Sequence, residues 1–291
     1  MANNFTVSPM KQVINLKPGE EYQGYVLVAN PSSSSSDFSF EASINPFSVS
    51  GDDYKTDFSY KSDWSRIVDW MKLEDSEGTL SPNDTMRIKY TINVPTDAPA
   101  GGQYAMIGIS SKPSNESGVS DVFRVGSLIY AFVEGVTKRE GHILENKIPG
   151  FVASGKPTVQ VKVENNGNVH ETLTTKITVK NVFTGKEEAI STEGDSIYES
   201  IIMPESTRVV SRTLENLPEL GIYQVSQDVS YMGDESLISS VMILCPIWFI
   251  ILVFATIISI VGMVCYGLHL KKKKKARILR EKSVQDSKED E

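Results

Sequence analysis

From Val241 to Leu268 the chain reads VMILCPIWFIILVFATIISIVGMVCYGL without one formally charged side chain. No other feature narrows its possible folds as much. About 20 helical residues cross a hydrocarbon core, so this run, roughly 28 residues, is read as one transmembrane helix over 241–268. A buried core helix would not be followed at once by KKKKKARILREK. Lys271, Lys272, Lys273, Lys274, Lys275, Arg277 and Arg280 set its orientation. Cationic flanks stay on the cytoplasmic side, which makes 269–291 a basic cytoplasmic tail and puts everything before the helix outside the cell membrane. A tail anchor with its bulk in the cytosol would send five consecutive lysines across the bilayer. A bulk of this size crosses with an export signal, yet MANNFTVSPM has neither a basic n-region nor an apolar h-region. A lost or trimmed signal is the expectation.

Charge follows the same boundary. Residues 271–291 hold nine of the 29 bases and five of the 37 acids, so the preceding 270 carry 20 bases against 32 acids, near -12. Such an ectodomain repels nucleic acid phosphates, and no nucleic acid partner is expected. The two cysteines, Cys245 and Cys265, both fall in the apolar run. An exported part without disulfides must stand on its hydrophobic cores, which points to the surface of a bacterium with a single membrane and a thick wall.

Before the helix, apolar residues alternate with polar ones. Phe38, Phe40, Ala42 and Ile44 form one such set and Ile88, Tyr90, Ile92 and Val94 another; Val159, Val161 and Val163 form a third. Period two means half-buried strands, and short strands separated by turns such as KPGE, SPND and DAPAGG mean sandwiches or barrels. The fold expected is all-β: two tandem immunoglobulin-like β-sandwich domains, 1–138 and 139–233, followed by the single helix. GGQYAMIGI in the first unit and LGIYQVSQDVSY in the second share a Gly-x-Tyr start, as divergent copies of one plan would. MGDESLISS reads as a short polar tether to the bilayer.

One segment breaks the rhythm. In SDWSRIVDWMKLED, Trp64, Ile67, Val68 and Met71 fall at i, i+3, i+4 and i+7, with Ser62 or Asp63 available as an N-cap. That spacing describes one or two turns of amphipathic helix. The plain reading is a plug for the open end of the first sandwich, with Trp64 inside and Trp70 partly exposed. The sharper one makes Trp64, Trp70, Tyr54, Phe58 and Tyr60 ligand-binding candidates, an aromatic platform on which a sugar ring could stack. A second candidate patch is the NNGN turn at 165–168, whose plain reading is a tight turn needing positive φ at Gly167.

No reaction class finds its minimum set of residues. His142, His170 and His269 are too scattered for metal-ligand spacing, and there is no G-x-S-x-G, P-loop or dinucleotide fingerprint. The chain is read as no enzyme, with no cofactor and no metal.

The order of FTVSP, LKPGEEYQGYVLVANPS, LSPNDTMRIKYTINVPTDAPAGGQYAMIGIS and PTVQVKVENNGNVHETLTTKITVKNVFTG, then a membrane helix and a lysine run, resembles the WxL-interacting proteins of Gram-positive bacteria. The resemblance implies a first domain similar to that family's peptidoglycan-binding unit and a second similar to its partner-binding unit, assembling with WxL-domain surface proteins. SDWSRIVDWMKL is an elaboration on that pattern. The expected function is thus a single-pass surface adhesion or scaffold protein that binds peptidoglycan, another wall glycan or surface proteins. The alternative is an accessory subunit of a membrane secretion or transport complex whose chaperone-like sandwiches pair with exported chains at their edges.

Overall fold

The alternating segments form the strands of two successive pairs of sheets. The computed structural model describes residues 5–34, 36–112, 124–188, 190 and 196–289, with the backbone alone from 274 onward. The first eleven strands are β1 (Thr6–Ser8), β2 (Lys11–Leu16), β3 (Glu21–Ala29), β4 (Phe38–Pro46), β5 (Ser48–Ser50), β6 (Lys55–Asp57), β7 (Met71–Leu73), β8 (Glu77–Leu80), β9 (Thr85–Asn93), β10 (Gly101–Ser111) and β11 (Arg124–Val133). One sheet has the order β1-β3-β9-β7 and its partner β2-β11-β10-β4-β8, while β5 and β6 make a separate ribbon. Val26, Val28, Ile88 and Ile92 of the first sheet share a core with Phe40, Ile107, Ile109 and Ile129 of the second, all fully buried. The chain changes sheets at the cis Ser8-Pro9 bond. β1 runs antiparallel to β3, and β2 runs parallel to β11.

The second pair is built from β12 (Gly141–Lys147), β13 (Phe151–Val152), β14 (Thr158–Asn165), β15 (Glu171–Asn181), β16 (Ile197–Ile202), β17 (Ser206–Thr213), β18 (Gly221–Tyr231) and β19 (Asp234–Leu244). The sheets are β12-β14-β17 and β13-β19-β18-β15-β16. Val159, Val161 and Val163 from one face Leu173, Ile177, Val225 and Val229 from the other.

The shared Gly-x-Tyr start has a steric cause. Residues two apart lie on one face of a strand, and in β10 and β18 the tyrosine ring folds back over the glycine. A Cβ on Gly102 would meet the Tyr104 hydroxyl at 2.0 Å, and one on Gly221 would meet the Tyr223 ring at 2.7 Å.

Two expectations are corrected here. MGDESLISS is not a tether: Met232 and Gly233, at φ 52° and 93°, form a two-residue hairpin turn, the conformation that suits strand twist. The chain then returns along β18 as the 11-residue β19, with Tyr231 opposite Asp234 and Gly221 opposite Leu244. The helix α1 therefore begins at Ile247, not Val241, and runs to Glu289; Cys245 precedes it. Its Ile247–Lys273 part is long and apolar enough to cross a membrane. Over about 1.5 Å per residue, those 27 residues span about 40 Å against a hydrocarbon core of about 30 Å. Lys271, Lys272 and Lys273 close this segment on exposed positions, while the side chains of Lys274, Lys275, Arg277 and Arg280 lie outside the described residues.

Candidate functional site

The segment 62–70 is helical but tightly wound, a 3-10 turn over Asp63–Asp69 with non-helical φ/ψ at Trp64 and Ser65. Ser62 caps it, its N–H donating to Ser65 Oγ at 2.8 Å. Gln103 of β10 pins the turn to the sheet: its Oε1 accepts the Ile67 N–H at 3.2 Å and its Nε2 donates to the Asp63 carbonyl at 3.1 Å. Trp64 and Ile67 thereby face inward, as the spacing predicts.

The aromatic platform does not assemble, and the reason is burial. Trp64 is only 8% exposed and meets Tyr104 edge-on at 5.5 Å. Phe58 stacks on Phe47 at 5.7 Å, and Trp70 packs against the first core. Tyr54 points to the second sheet pair, where its hydroxyl lies 3.0 Å from Ser206 Oγ and receives the Met203 N–H, under the Arg208 guanidinium 4.4 Å from its ring. Of the five candidates Tyr60 alone is open to solvent. The crevice left beside Trp64, among Asp63, Pro99, Asn168 and Pro204, has about 130 Å³, well below the roughly 300 Å³ at which small-molecule pockets begin.

What these residues build is the junction between the sheet pairs. Phe47, Trp64, Tyr104 and Tyr130 from the first close over Met203 from the second. Asp52 accepts from Lys162 at 2.7 Å, and its carbonyl accepts the Val209 N–H at 2.8 Å. The NNGN turn is the other half. Asn168 Nδ2 donates to the Ala100 and Val136 carbonyls at 2.9 and 3.2 Å, and its Oδ1 accepts the Lys138 N–H at 2.7 Å. Gly167 does not need positive φ, contrary to expectation. It is required by close approach, since a Cβ there would stand 2.4 Å from the Lys138 carbonyl.

His170 sits in this junction against Tyr104. The Tyr104 hydroxyl accepts the His170 backbone N–H at 3.0 Å and lies 2.9 Å from Nδ1. The hydroxyl thus bridges the backbone N–H and the ring nitrogen of one residue, which fixes the imidazole against the Tyr104 ring. Burial first, then the charges of Lys11 and Arg139, lowers the His170 pKa. The unfolded chain takes up this proton below about pH 6.5 while the folded one resists it, so the contribution is whole above that pH and is lost as pH falls through the window below it. A thermal-unfolding series from pH 7.5 to 5 is therefore expected to show the Tm of the wild type falling more steeply than that of His170→Gln. Parallel curves would contradict this.

Outside the junction several interior strands in the described residues are paired on one side over only part of their length, β3 and β9 among them, and β11 is the one whose unpaired stretch continues a ladder that stops abruptly. β2 covers β11 only from Leu128 to Val133, so Arg124–Ser127 has a partner in β10 alone. The Leu128 N–H donates to Met10 on the β2 side at 2.8 Å. By the alternation of the ladder, Arg124 and Gly126 present their N–H and C=O to that same side, where among the described residues no strand receives them. The edge of β16, by contrast, is capped: Arg208 donates to the Ile201 carbonyl at 2.6 Å, and Arg212 lies 4.7 Å from the Tyr198 ring. Strand periodicity gives β11 but says nothing of where its neighbour stops.

No protein-family model matches the chain, and no curated protein does. Among solved structures it is similar to the class 5 fimbriae chaperone CfaA, at 15% identity over 82% of this chain and 99% of that one, with a TM-score of 0.40. The CupB2 chaperone of Pseudomonas aeruginosa is 10% identical over 81% and 99%, also at 0.40. A chain of the Salmonella enterica SafA pilin–SafB chaperone complex is 11% identical over 84% and 98%, at 0.42.

Proposed function

We propose that this chain is a single-pass surface protein with two tandem immunoglobulin-like domains outside the membrane, α1 across it and the basic tail inside. Its ligand is a polypeptide, bound without catalysis at the open edge of β11. The half-paired stretch Arg124–Ser127 carries the reading. An added strand gains affinity from main-chain bonds and specificity from alternate side chains. The reading as a glycan binder has lost its support, because Trp64, Tyr54 and Phe58 pack in the junction and Trp70 against the first core, which leaves Tyr60 by itself in solvent. The motif resemblance to WxL-interacting proteins makes a WxL-domain-like surface protein the first partner to try. An exported chain in transit through a membrane complex would use the same edge.

A photo-crosslinking phenylalanine at position 124 of the full chain, in intact cells, is expected to form a covalent adduct with a polypeptide, and one at Leu237, exposed on β19, is not. Arg124→Pro, which removes an outward N–H, is expected to lower recovery of that partner several-fold, with Arg124→Gln close to wild type. Binding of the full chain to protein-free wall sacculi, with no adduct from position 124, would overturn the reading in favour of a wall glycan.

A further inference from the structure

The join between the second sheet pair and α1 has no slack. Cys245 and Pro246 alone separate β19 from the helix. The Cys245 N–H donates to the Val152 carbonyl at 3.0 Å and the Ile247 N–H to the Ala153 carbonyl at 3.1 Å. The sheet's hydrogen bonding therefore runs up to the first helical residue, and this end of the sheets lies at the level where the apolar segment begins.

Register brings the other chain ends to that level. Gly221 lies opposite Leu244 and Phe151 opposite Ile243, and the Val182 N–H donates to the Ile222 carbonyl at 3.0 Å. Exposed apolar side chains collect here: Phe183 is 77% exposed, with Val182, Phe151, Leu220 and Trp248 each close to half. Phe183 is held out by a built turn. Asn181 Oδ1 accepts the N–H groups of Phe183 and Thr184 at 3.0 and 3.1 Å, and Gly185 closes the turn at φ 67°. Lys186 stands beside it, and Lys180 is paired with Glu187 at 3.3 Å. An apolar tip rimmed by charged side chains, beside the start of a membrane helix, matches the interfacial layer, where headgroups meet acyl chains.

We propose that this end of the second sheet pair is seated in the interfacial layer of the bilayer that α1 crosses, with Val182 and Phe183 as its deepest side chains outside the helix. The occupant follows from continuity: the patch adjoins the helix, and the apolar segment exceeds the hydrocarbon thickness, which brings its first turn up into that layer. The proposal rests on the reading of α1 as a membrane span. Its consequence is that the open β11 edge is displayed at a fixed attitude to the membrane, not on a swinging tether.

The test uses the full chain with Cys245 and Cys265 replaced by serine, reconstituted in nanodiscs of phosphatidylcholine and phosphatidylglycerol. An environment-sensitive fluorophore is placed in turn at Phe183→Cys, at Leu237→Cys on β19 and at Ile257→Cys in the helix, and quenched with aqueous iodide. Expected is a quenching constant several-fold lower at 183 than at 237, and lower still at 257. Shielding at 257 with 183 as quenched as 237 would overturn the seat and leave the span intact. Quenching at 257 equal to that at 237 would overturn the span, and the seat with it.

Discussion

Trp64→Ala is expected to destabilise the full chain by about 3–5 kcal/mol, the range for removing a buried aromatic side chain. The indole belongs to the buried cluster of Phe47, Tyr104, Tyr130 and Met203, and its edge-on contact with Tyr104 adds to the area it buries. The neighbours cannot collapse into the space: Tyr104 is tied to His170, and the turn carrying residue 64 is pinned by Gln103. Trp64→Phe should recover much of the loss. Tyr60→Ala, at an exposed position, should stay within about 0.5 kcal/mol of wild type. Chemical denaturation of the detergent-solubilised protein measures all three. A sugar-stacking tryptophan would give the reverse pattern, lost binding at unchanged stability, so an unaltered midpoint for Trp64→Ala would refute its placement in the junction.

Local periodicity found what local forces set. Phe38, Phe40, Ala42, Ile88, Tyr90, Ile92, Val159, Val161 and Val163 all point inward, because a pleated strand half buried in a sandwich has no other way to sort its side chains. Trp64, Ile67 and Met71 are buried as their spacing required, although the winding is 3-10 and Met71 opens a strand. What escaped the sequence depends on distant partners. The first seven residues of β19, DESLISS, are mostly polar, and in the whole strand only Met242 and Leu244 are buried, so its start reads as linker, and its apolar end merges with the membrane run. Pro246 is the mark that separates the two, since proline favours the start of a helix and does not suit an interior strand.

The candidate site was less legible. Trp64 and Tyr54 stand out in the sequence, but an aromatic residue on a loop reads alike whether it meets solvent or a second sheet pair. The deciding contacts, Tyr54 to Ser206 and Tyr104 to His170, join residues 152 and 66 positions apart. The same holds for the open edge of β11, which exists because β2, more than 100 residues earlier in sequence, pairs with only part of it.

Asn165 gives the second large effect, and its sign can be worked out. The side chain is fully buried at the start of the turn that carries Asn168 and His170 into the junction. Its Nδ2 donates to the Val169 and Ile202 carbonyls at 2.8 and 3.1 Å, and its Oδ1 accepts the Gly167 N–H at 2.9 Å. Asn165→Ala strands three buried backbone groups at about 1–3 kcal/mol each, so a loss of about 3 kcal/mol or more is expected. Asn165→Asp keeps the shape but turns a donor into an acceptor facing two carbonyl oxygens. Only the protonated acid can donate there, so the folded state holds the carboxyl above its ordinary pKa of about 3.9. The folded variant then binds more protons than the unfolded chain over that interval, and its stability falls as pH rises through it. Relative to wild type, Asn165→Asp should be closest at pH 4.5 and worst at pH 7, the opposite direction to the loss expected when His170 is protonated. Unfolding midpoints of wild type, Asn165→Ala and Asn165→Asp at both pH values decide it. A pH-independent gap between Asn165→Asp and wild type would mean that Nδ2 is not the atom facing those carbonyls.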